Sequence, residues 1–146
     1  LERKGRFVGL VNKDGTTKTE CGIHVDGAEK TFDRDLWDKT PSVKEIADQE
    51  GVKKALDGDK ATLMVVYAPW CQFCQKMEEQ YAELSKSDIG VEVTKYRGDT
   101  QREFIETTLG VKTFPSILCV KGGKYVKYES EDRSKEAIAK FVQENA

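Results

Sequence analysis

Cys71 and Cys74 are spaced C-x-x-C just after an apolar stretch, residues 65–68, that predicts a buried strand. Residues 75–85 then alternate apolar and charged side chains at helical spacing, so Cys71 is predicted to stand at a helix N-terminus. The apolar residues predicted to share one stripe of that helix are Phe73, Met77, Tyr81 and Leu84. The unpaired backbone N–H groups and the helix dipole favour a thiolate over a thiol at that point. The second sulfur lies within reach for a disulfide, and two such thiols are typical of a dithiol–disulfide exchange centre.

The two thiols are predicted to have different roles. Cys71 should attack, because it stands at the helix N-terminus and on the exposed side of the turn. Cys74 should resolve the resulting mixed disulfide, because one helical turn further in it is more shielded and has the higher expected pKa. We therefore predict that Cys71 and Cys74 form a redox-active disulfide.

The same spacing also occurs in half of a zinc site, which is the alternative that the residues leave open. Cys21 and His24 form a C-x-x-H motif. Together with Cys71 and Cys74 they could make a structural zinc module with three cysteine ligands and one histidine. The strand-turn-helix setting argues against that alternative, because zinc knuckles usually lie in tight turns. We therefore predict no metal site.

A second feature, Thr-Phe-Pro-Ser at residues 113–116, precedes another apolar run. Proline at the mouth of a strand often marks a cis peptide bond or a sheet edge. Together with the Ala-Pro-Trp-Cys-x-x-Cys motif, these residues resemble the thioredoxin superfamily, whose active site faces a cis-proline loop, and most of all its protein disulfide isomerase domains. The resemblance covers residues 42–146. It implies that Trp70, Phe114 and Pro115 shape the groove for a substrate strand or for glutathione.

Two features of the chain depart from that family. Thioredoxins and disulfide isomerases place a buried acid six residues before the first cysteine, where this chain has Val65. Gln72 and Phe73 stand between the cysteines in place of Gly-Pro or Gly-His. Both differences fit glutathione-coupled chemistry at least as well as thioredoxin chemistry.

The remaining pattern predicts an α/β protein with a thioredoxin-like fold. In chain order the predicted elements are strand 42–47, helix 49–56, strand 61–67, helix 71–87, strand 90–96, helix 100–109, a strand opened by Pro115, its hairpin partner 125–128 and helix 133–144. Asp99 or Thr100 is expected to cap the third helix. We expect a central mixed β-sheet flanked by helices on both faces, with an irregular N-terminal extension.

Composition and charge limit the classes of function. The 146 residues suit one domain with a short extension, and 34% charged against 38% hydrophobic residues suit a globular protein with a modest core. The formal net charge is −2 and the lysines are scattered among glutamates, so the charge pattern does not predict nucleic-acid binding. The longest apolar stretch, residues 61–69, is too short to span a membrane. Four cysteines, two of them in C-x-x-C, indicate catalytic thiols in a reducing compartment rather than a disulfide scaffold.

Residues 1–41 differ from the rest, since they are rich in Gly, Lys, Asp and Thr and contain little apolar sequence. Within them Cys21 is followed by glycine and then by His24, and a cysteine so placed can be a nucleophile that its neighbours tune. From residue types alone, an unrelated loop cysteine and loop histidine are favoured. Leu36 and Trp37 are expected to anchor the end of this segment on the following domain.

The stretch Glu-Cys-Gly-Ile-His, residues 20–24, resembles the Glu-Cys-Gly-Leu-His signature that closes the catalytic domain of sulfonucleotide reductases. Arg3 and Arg6 lie in Arg-Lys-Gly-Arg-Phe, which is similar to an Arg-x-Gly-Arg-Trp stretch of that family. A reductase tail joined to a thioredoxin-like domain is the arrangement of plant and algal adenylyl-sulfate reductases. On this resemblance residues 1–41 are the reductase tail and linker, residues 42–146 are the thioredoxin-like domain, and the chain, which does not begin with Met, is a C-terminal fragment.

This resemblance implies a domain that acts like a glutaredoxin and supplies electrons from glutathione for the reduction of adenylyl sulfate to sulfite and AMP in sulfate assimilation. Cys21 would attack the sulfur of the substrate, Arg3 and Arg6 would hold its phosphosulfate group, and His24 is a candidate modulator of Cys21. The C-x-x-C pair would then release sulfite and be reset by glutathione.

The resemblance also implies partners and a location. The partners are glutathione, the upstream reductase domain and adenylyl sulfate, and the location is the chloroplast or plastid stroma. A [4Fe–4S] cluster is expected in the upstream domain, because its cysteines would precede this chain and neither Cys21 nor Cys119 replaces them. The fragment itself is expected to hold no cofactor and to show glutaredoxin-like disulfide reduction without adenylyl sulfate reduction.

Two competing hypotheses remain beside this one. The first is a protein disulfide isomerase or thioredoxin-type domain, which the missing buried acid and the Glu-Cys-Gly-Ile-His stretch count against. The second is the structural zinc module. Cys119 lies in an apolar run and is expected to be a small core residue rather than a redox thiol.

Overall fold

The computed structural model describes residues 35–130 and 132–146, together with the backbone of Cys21 and Gly22. The protein is built around a five-stranded mixed sheet with the strand order β2-β4-β3-β6-β7, while β1 pairs with β5 in a separate two-stranded sheet. The strands are β1 (Cys21–Gly22), β2 (Lys44–Glu45), β3 (Thr62–Tyr67), β4 (Glu92–Arg97), β5 (Thr113–Phe114), β6 (Ser116–Lys121) and β7 (Lys124–Tyr128).

Strand β3 lies in the middle of this sheet, and every one of its residues is buried. It runs parallel to β4 and antiparallel to β6, so both of its edges are hydrogen-bonded. A continuous apolar run is the pattern expected of a strand that is covered on both faces. The predicted central strand and the mixed sheet are therefore confirmed.

Helices flank the sheet, as the thioredoxin-like fold predicts. In the described part of the chain they are α1 (Gln49–Asp57), α2 (Gln72–Ser85), α3 (Arg102–Thr108) and α4 (Lys135–Asn145). The side chain of Asp48 accepts a hydrogen bond of 2.8 Å from the Gly51 N–H, and that of Ser134 accepts one of 3.3 Å from the Ala137 N–H. Short polar side chains at these positions satisfy N–H groups that a helix start leaves unpaired.

The predicted cap of helix α3 is wrong. The residue before the helix is Gln101, which makes no side-chain capping bond. Asp99 is buried instead, and both of its carboxylate oxygens accept hydrogen bonds from Arg97 and Trp70. A cap at Asp99 would start the helix at residue 100, whereas helix α3 begins two residues later, at Arg102.

Helix α2 turns the second cysteine toward the core. Its buried residues are Cys74, Met77, Tyr81 and Leu84, which recur at the spacing of one helix face. Phe73, the predicted first member of that face, is half-buried and packs at its border. Cys74 occupies the buried position because it precedes Met77 by three residues, and this places the thiol inside the domain.

Residues 35–40, which we call the tether, lie on the domain. Leu36 and Trp37 are both buried, so the predicted anchor is confirmed. The Trp37 ring lies edge-on to Tyr67 with the ring centroids 5.2 Å apart, and it contacts Tyr81 at the same centroid distance of 5.2 Å. The tether is therefore part of the packed structure.

Strand β1 brings the backbone of the N-terminal segment to β5. Cys21 lies opposite Phe114 and Gly22 lies opposite Thr113 in antiparallel register. Three residues with predicted roles lie outside the described part of the chain: Arg3, Arg6 and His24. The roles predicted for them stay predictions.

Candidate redox site

Cys71 stands directly before helix α2, as the strand-to-helix pattern predicts. Its carbonyl oxygen accepts the first helical bonds, at 3.0 Å from the Cys74 N–H and at 3.0 Å from the Gln75 N–H. The Gln75 side-chain amide reaches back and donates to the carbonyl of Pro69 at 3.0 Å, which braces the turn. The first cysteine therefore lies where the helix dipole stabilises a thiolate.

The surroundings of Cys71 differ from the prediction that it lies on the exposed side of the turn. Its side chain is fully buried, and its Sγ lies 3.4 Å from the carbonyl oxygen of Phe114. Cys71 is disulfide-bonded in this structure while Cys74 is a free thiol, so the predicted disulfide between Cys71 and Cys74 is not formed in this state. The carbonyl group beside Cys71 belongs to Phe114, which is also the residue at which β1 pairs with β5.

The loop before β6 lies against Cys71. The Phe114–Pro115 peptide bond is cis, which is one of the two outcomes that the sequence predicts. Phe114 is fully buried, and the Trp70 ring stands edge-on to it with centroids 5.8 Å apart and planes at 84°. The structure thus gathers the cysteine, the tryptophan and the cis-proline loop in one place, while their roles in substrate binding stay predictions.

Cys74 is the more deeply placed thiol that the sequence predicts. It is fully buried, and burial raises the pKa of its thiol to about 12. A backbone hydrogen bond at Ala68 and the positive charge of Arg133 lower that pKa by less than burial raises it, and the charge of Asp99 raises it further. Cys74 is therefore protonated near neutral pH, and it must lose that proton before it can attack a disulfide.

Arg133 is a functional candidate that sequence reasoning missed. It precedes helix α4 and favours the thiolate form of Cys74, although it lies far from the cysteines along the chain. Contact between helices α2 and α4 brings the two regions together. No motif or spacing links Arg133 to the C-x-x-C pair, so the sequence alone carries no signal for it.

The buried carboxylate of Asp99 is a second group that the sequence did not assign to the site. It accepts a hydrogen bond of 2.9 Å from the indole Nε1 of Trp70. The guanidinium of Arg97 donates to the same carboxylate through Nε at 2.7 Å and Nη2 at 3.2 Å. Because Trp70 directly precedes Cys71, Asp99 fixes the indole beside the first cysteine.

Val65 occupies the position at which the resembling families carry a buried acid, and it is itself fully buried. In the sheet it lies between Lys95 on β4 and Ile117 on β6. A valine cannot accept a proton, so this position contributes no base to the reaction of Cys74.

Cys119 is a core residue, as predicted. It is buried on β6 with its Sγ 3.7 Å from the carbonyl oxygen of Asn145, and burial raises the pKa of its thiol. A protonated thiol in the core is neither a nucleophile nor a metal ligand. The described part of the chain therefore offers no cysteine set for an iron–sulfur cluster.

Within residues 35–130 and 132–146, no three side chains of His, Cys, Asp or Glu are arranged to hold a metal ion. The zinc alternative draws on Cys21 and His24, whose side chains lie outside that part, so it stays untested. None of the helices that the structure describes combines the length and the apolar character needed to cross a membrane.

Comparison with known proteins supports the fold and the chemistry of the cysteine pair. The thioredoxin family model matches residues 42–144. The chloroplastic 5'-adenylylsulfate reductase 1 of Arabidopsis thaliana is 32% identical over 160 aligned residues, which cover 97% of this chain and 33% of that protein. Protein disulfide isomerase-like 1-1 of the same plant is 37% identical over 94 residues, which cover 62% of this chain and 18% of that protein. The chain thus spans 33% of the length of the Arabidopsis reductase that it matches.

Solved structures show the same fold. The J-Trx1 fragment of ERdj5 superposes with a TM-score of 0.66 at 22% identity, covering 74% of this chain and 51% of that chain. The thioredoxin of Malassezia sympodialis superposes with a TM-score of 0.61 at 20% identity, covering 70% of this chain and 89% of that chain. The family match and the Cys71–Cys74 pair beside a cis-proline loop together show that the chain belongs to the thioredoxin family and is a thiol–disulfide oxidoreductase of thioredoxin type.

Proposed function

We propose that this chain is the electron-donating part of an adenylyl-sulfate reductase, in which Cys71 removes sulfite from an S-sulfonate on Cys21 and glutathione restores the thiols. The observation that carries the proposal is the antiparallel pairing of β1 with β5. This pairing sets Cys21 opposite Phe114, whose carbonyl oxygen lies 3.4 Å from the Sγ of Cys71. Because the backbone of Cys21 and the Sγ of Cys71 both meet Phe114, this pairing supports a reaction between the two cysteines within one chain.

Similarity beyond the thioredoxin-like part supports the same function. The alignment with the Arabidopsis adenylylsulfate reductase covers 97% of this chain and therefore extends into the segment before residue 42. That segment carries Cys21 in the Glu-Cys-Gly-Ile-His stretch. In the proposal Arg3 and Arg6 hold the phosphosulfate group and His24 tunes Cys21, with the plastid as the location, as in the chloroplastic relatives.

The proposed chemistry is a series of two-electron transfers between sulfur atoms. The Cys21 thiolate attacks the sulfur of adenylyl sulfate, so that a bond to sulfur forms, the bond to the AMP oxygen breaks and AMP leaves. The Cys71 thiolate then attacks the Cys21 sulfur, and sulfite leaves with the electron pair, giving a disulfide between Cys21 and Cys71.

Cys74 completes the cycle. Its thiolate attacks the Cys71 sulfur, which frees the Cys21 thiolate and leaves a disulfide between Cys71 and Cys74. Two molecules of glutathione then reduce that disulfide and leave as glutathione disulfide. The raised pKa of Cys74 keeps its thiol protonated near neutral pH, and the positive charge of Arg133 favours the ionisation that the attack requires.

A disulfide isomerase or thioredoxin-type function is the second candidate. The 37% identity with protein disulfide isomerase-like 1-1 over 62% of the chain favours it. In that case the same cysteine pair would act on disulfides of other proteins. The two candidates differ in the reductant of the cysteine pair and in the role of Cys21.

A coupled assay on the purified chain distinguishes them. Glutathione, glutathione reductase and a small mixed disulfide are supplied, and NADPH consumption is followed for the unaltered chain and for Cys71→Ser, Cys21→Ser and Cys119→Ser. We expect activity that is lost in Cys71→Ser and retained in Cys21→Ser and in the core variant Cys119→Ser. Turnover with thioredoxin reductase or oxidation of unfolded dithiols, without turnover by glutathione, would replace the proposal with the second candidate.

The reaction between Cys21 and Cys71 has its own test. Cys74→Ser removes the resolving thiol, so the mixed disulfide should accumulate during air oxidation. Peptide mapping under non-reducing conditions is expected to find Cys21 linked to Cys71 in the monomer fraction at dilute protein. A Cys21–Cys71 disulfide found in dimers alone would show that the reaction takes place between two chains. If no such disulfide formed, Cys21 would have no part in the proposed function.

A further inference from the structure

The tether is held by polar contacts as well as by apolar packing. The Trp37 backbone N–H donates to the Oε2 of Glu78 at 2.8 Å, and the Trp37 indole donates to the Glu78 carbonyl at 2.8 Å. The carbonyl oxygen of Leu36 accepts a bond of 2.7 Å from the Nζ of Lys95, a residue that is only 5% exposed. A buried ammonium is costly without an acceptor, so the tether supplies a partner that the sheet needs.

Strand β4 directs two cations at the tether. Lys95 and Arg97 are two residues apart on this strand and so lie on the same face of the sheet. The Nη1 of Arg97 lies 3.9 Å from the Oδ2 of Asp35. Opposite Arg97 in the sheet is Tyr67, whose hydroxyl donates to the Oδ1 of Asp35 at 2.7 Å. Asp35 therefore joins the last residues of β3 and β4, at the end of the sheet where the redox turn, residues 68–71 between β3 and α2, begins.

Arg97 links this contact to the redox turn. Its guanidinium donates two bonds to Asp99, at 2.7 Å and 3.2 Å, and Asp99 accepts the indole N–H of Trp70 at 2.9 Å. The side chain of Asp99 is fully buried, so these donors are the main source of its stabilisation. An unbroken chain of hydrogen bonds and ion pairs thus leads from the tether to the residue before Cys71.

We propose that Asp35 is a positioning residue for the redox turn, because it holds Arg97 and, through Asp99, the indole of Trp70 beside Cys71. With Asp35 in place, Arg97 lies between two carboxylates and Asp99 is fixed. Without Asp35, Arg97 loses one of them and the bonds that hold Trp70 loosen. The contact between Asp35 and Arg97 therefore sets the reactivity of Cys71. This proposal goes beyond the function proposed above and does not depend on the identity of the reductant.

The experiment uses the two tryptophans of the chain as separate reporters. Each indole N–H is hydrogen-bonded, that of Trp37 to Glu78 and that of Trp70 to Asp99, so each gives its own signal in a ¹⁵N–¹H spectrum. Trp70→Phe assigns the two signals. The variants are Asp35→Asn, which keeps an acceptor for Tyr67 and removes the charge, and Asp35→Ala, which removes both. Lys39→Ala, an exposed change on the same tether, is the matched control.

We expect the Trp70 signal to shift and its exchange with solvent to rise in Asp35→Ala, with a smaller change in Asp35→Asn and none in Lys39→Ala. The kcat/KM for reduction of a small disulfide should fall about threefold to tenfold in Asp35→Ala, which lies within the range of coupling between residues that do not touch. Tyr67→Phe, which removes one hydroxyl from the same contact, should change the Trp70 signal in the same direction if Asp35→Ala does not fold. A change confined to the Trp37 signal would show a purely local anchor and overturn the proposal.

Discussion

The Sγ of Cys71 lies 3.4 Å from the carbonyl oxygen of Phe114, and the same Phe114 is the sheet partner of Cys21. One fully buried residue therefore meets both the first cysteine of the redox pair and the strand that carries the tail cysteine. A small displacement of Phe114 should therefore change the position of strand β1 relative to the Sγ of Cys71.

Gly98 offers a way to displace it. A Cβ atom at Gly98 would lie 2.7 Å from Val66 Cγ1 and 2.9 Å from Ile105 Cδ1, both closer than real contacts allow, and 3.0 Å from Phe114 Cε1, which is tighter than most real contacts. Gly98→Ala is expected to lower the free energy of unfolding in urea by about 1–3 kcal/mol, as overpacking does. It should also slow the formation of the disulfide between Cys21 and Cys71 in the Cys74→Ser background.

Gly58→Ala is the control for this change. Gly58 has an ordinary φ of −67°, and a Cβ there would lie 3.4 Å from its nearest neighbour, the carbonyl of Lys54. Its unfolding free energy should change by less than about 1 kcal/mol. Equal losses of stability in the two variants would contradict the close packing of Gly98 against the Phe114 ring.

The parts of the site that the sequence predicted are those encoded locally. The C-x-x-C step, the strand before it and the helix after it follow from residue spacing within a few turns of chain, and the cis-proline loop follows from one Phe-Pro-Ser stretch. The prediction of the buried face of α2 was nearly right because helical spacing is also local, and the one difference is that Cys74 is buried in the place predicted for Phe73.

The parts that were missed depend on contacts between distant segments. Asp99 was expected to cap a helix, because its sequence position favours that role, but the fold brings it under Trp70 and Arg97. Arg133 reaches the environment of Cys74 through the packing of α4 on α2. Cys71 is buried with its Sγ against the carbonyl oxygen of Phe114, a contact between distant segments that the local pattern does not reveal.

Arg133 should set the rate at which Cys74 resolves a mixed disulfide. Burial raises the pKa of Cys74 to about 12, so below that pH the thiolate fraction and the resolution rate should rise about tenfold per pH unit. Arg133→Ala removes a charge that lowers this pKa, so resolution should be severalfold slower at each pH. Cys71 is loaded with thionitrobenzoate in the Cys21→Ser background, and release of the coloured thiolate is followed by stopped flow.

The matched control is Lys135→Ala, which removes a half-exposed cation two residues further on, one that is ion-paired with Glu83. Its resolution rate should equal that of the parent chain. Equal slowing in both variants would mean that Arg133 acts through helix α4 as a whole and not through its charge on Cys74.

Cys74 should also give the stability a pH dependence under alkaline conditions. The unfolded thiol ionises near its ordinary pKa of 9.0, while burial in the fold raises the pKa to about 12. Between these values the folded state keeps a proton that the unfolded state has lost, so the unfolding free energy should fall by about 1.4 kcal/mol per pH unit from this group. Below pH 9 both states hold the proton and the contribution is constant.

Cys74→Ala tests this contribution in the reduced protein. Above pH 9 the unfolding free energy of Cys74→Ala, measured in urea, should fall less steeply with rising pH than that of the parent chain. Below pH 9 the plots of unfolding free energy against pH should be parallel for the two chains. The buried hydroxyls of Tyr67 and Tyr81, whose pKa values burial also raises, remain in both chains and cancel in the difference. Parallel curves throughout the alkaline range would show that the thiol of Cys74 ionises as readily in the fold as in water.

Trp37 should contribute strongly to the stability of the thioredoxin-like fold, although it precedes the region that the family match covers. It is 2% exposed, its ring contacts Tyr67 and Tyr81, and its indole donates to the Glu78 carbonyl at 2.8 Å. Trp37→Ala removes this ring from the core, and such truncations cost about 3–5 kcal/mol. Urea denaturation should show that loss, whereas exposed Lys39→Ala should stay within about 0.5 kcal/mol of the parent chain. The family match begins at residue 42. If Trp37→Ala lost as little unfolding free energy as Lys39→Ala, the domain would therefore be complete without its tether.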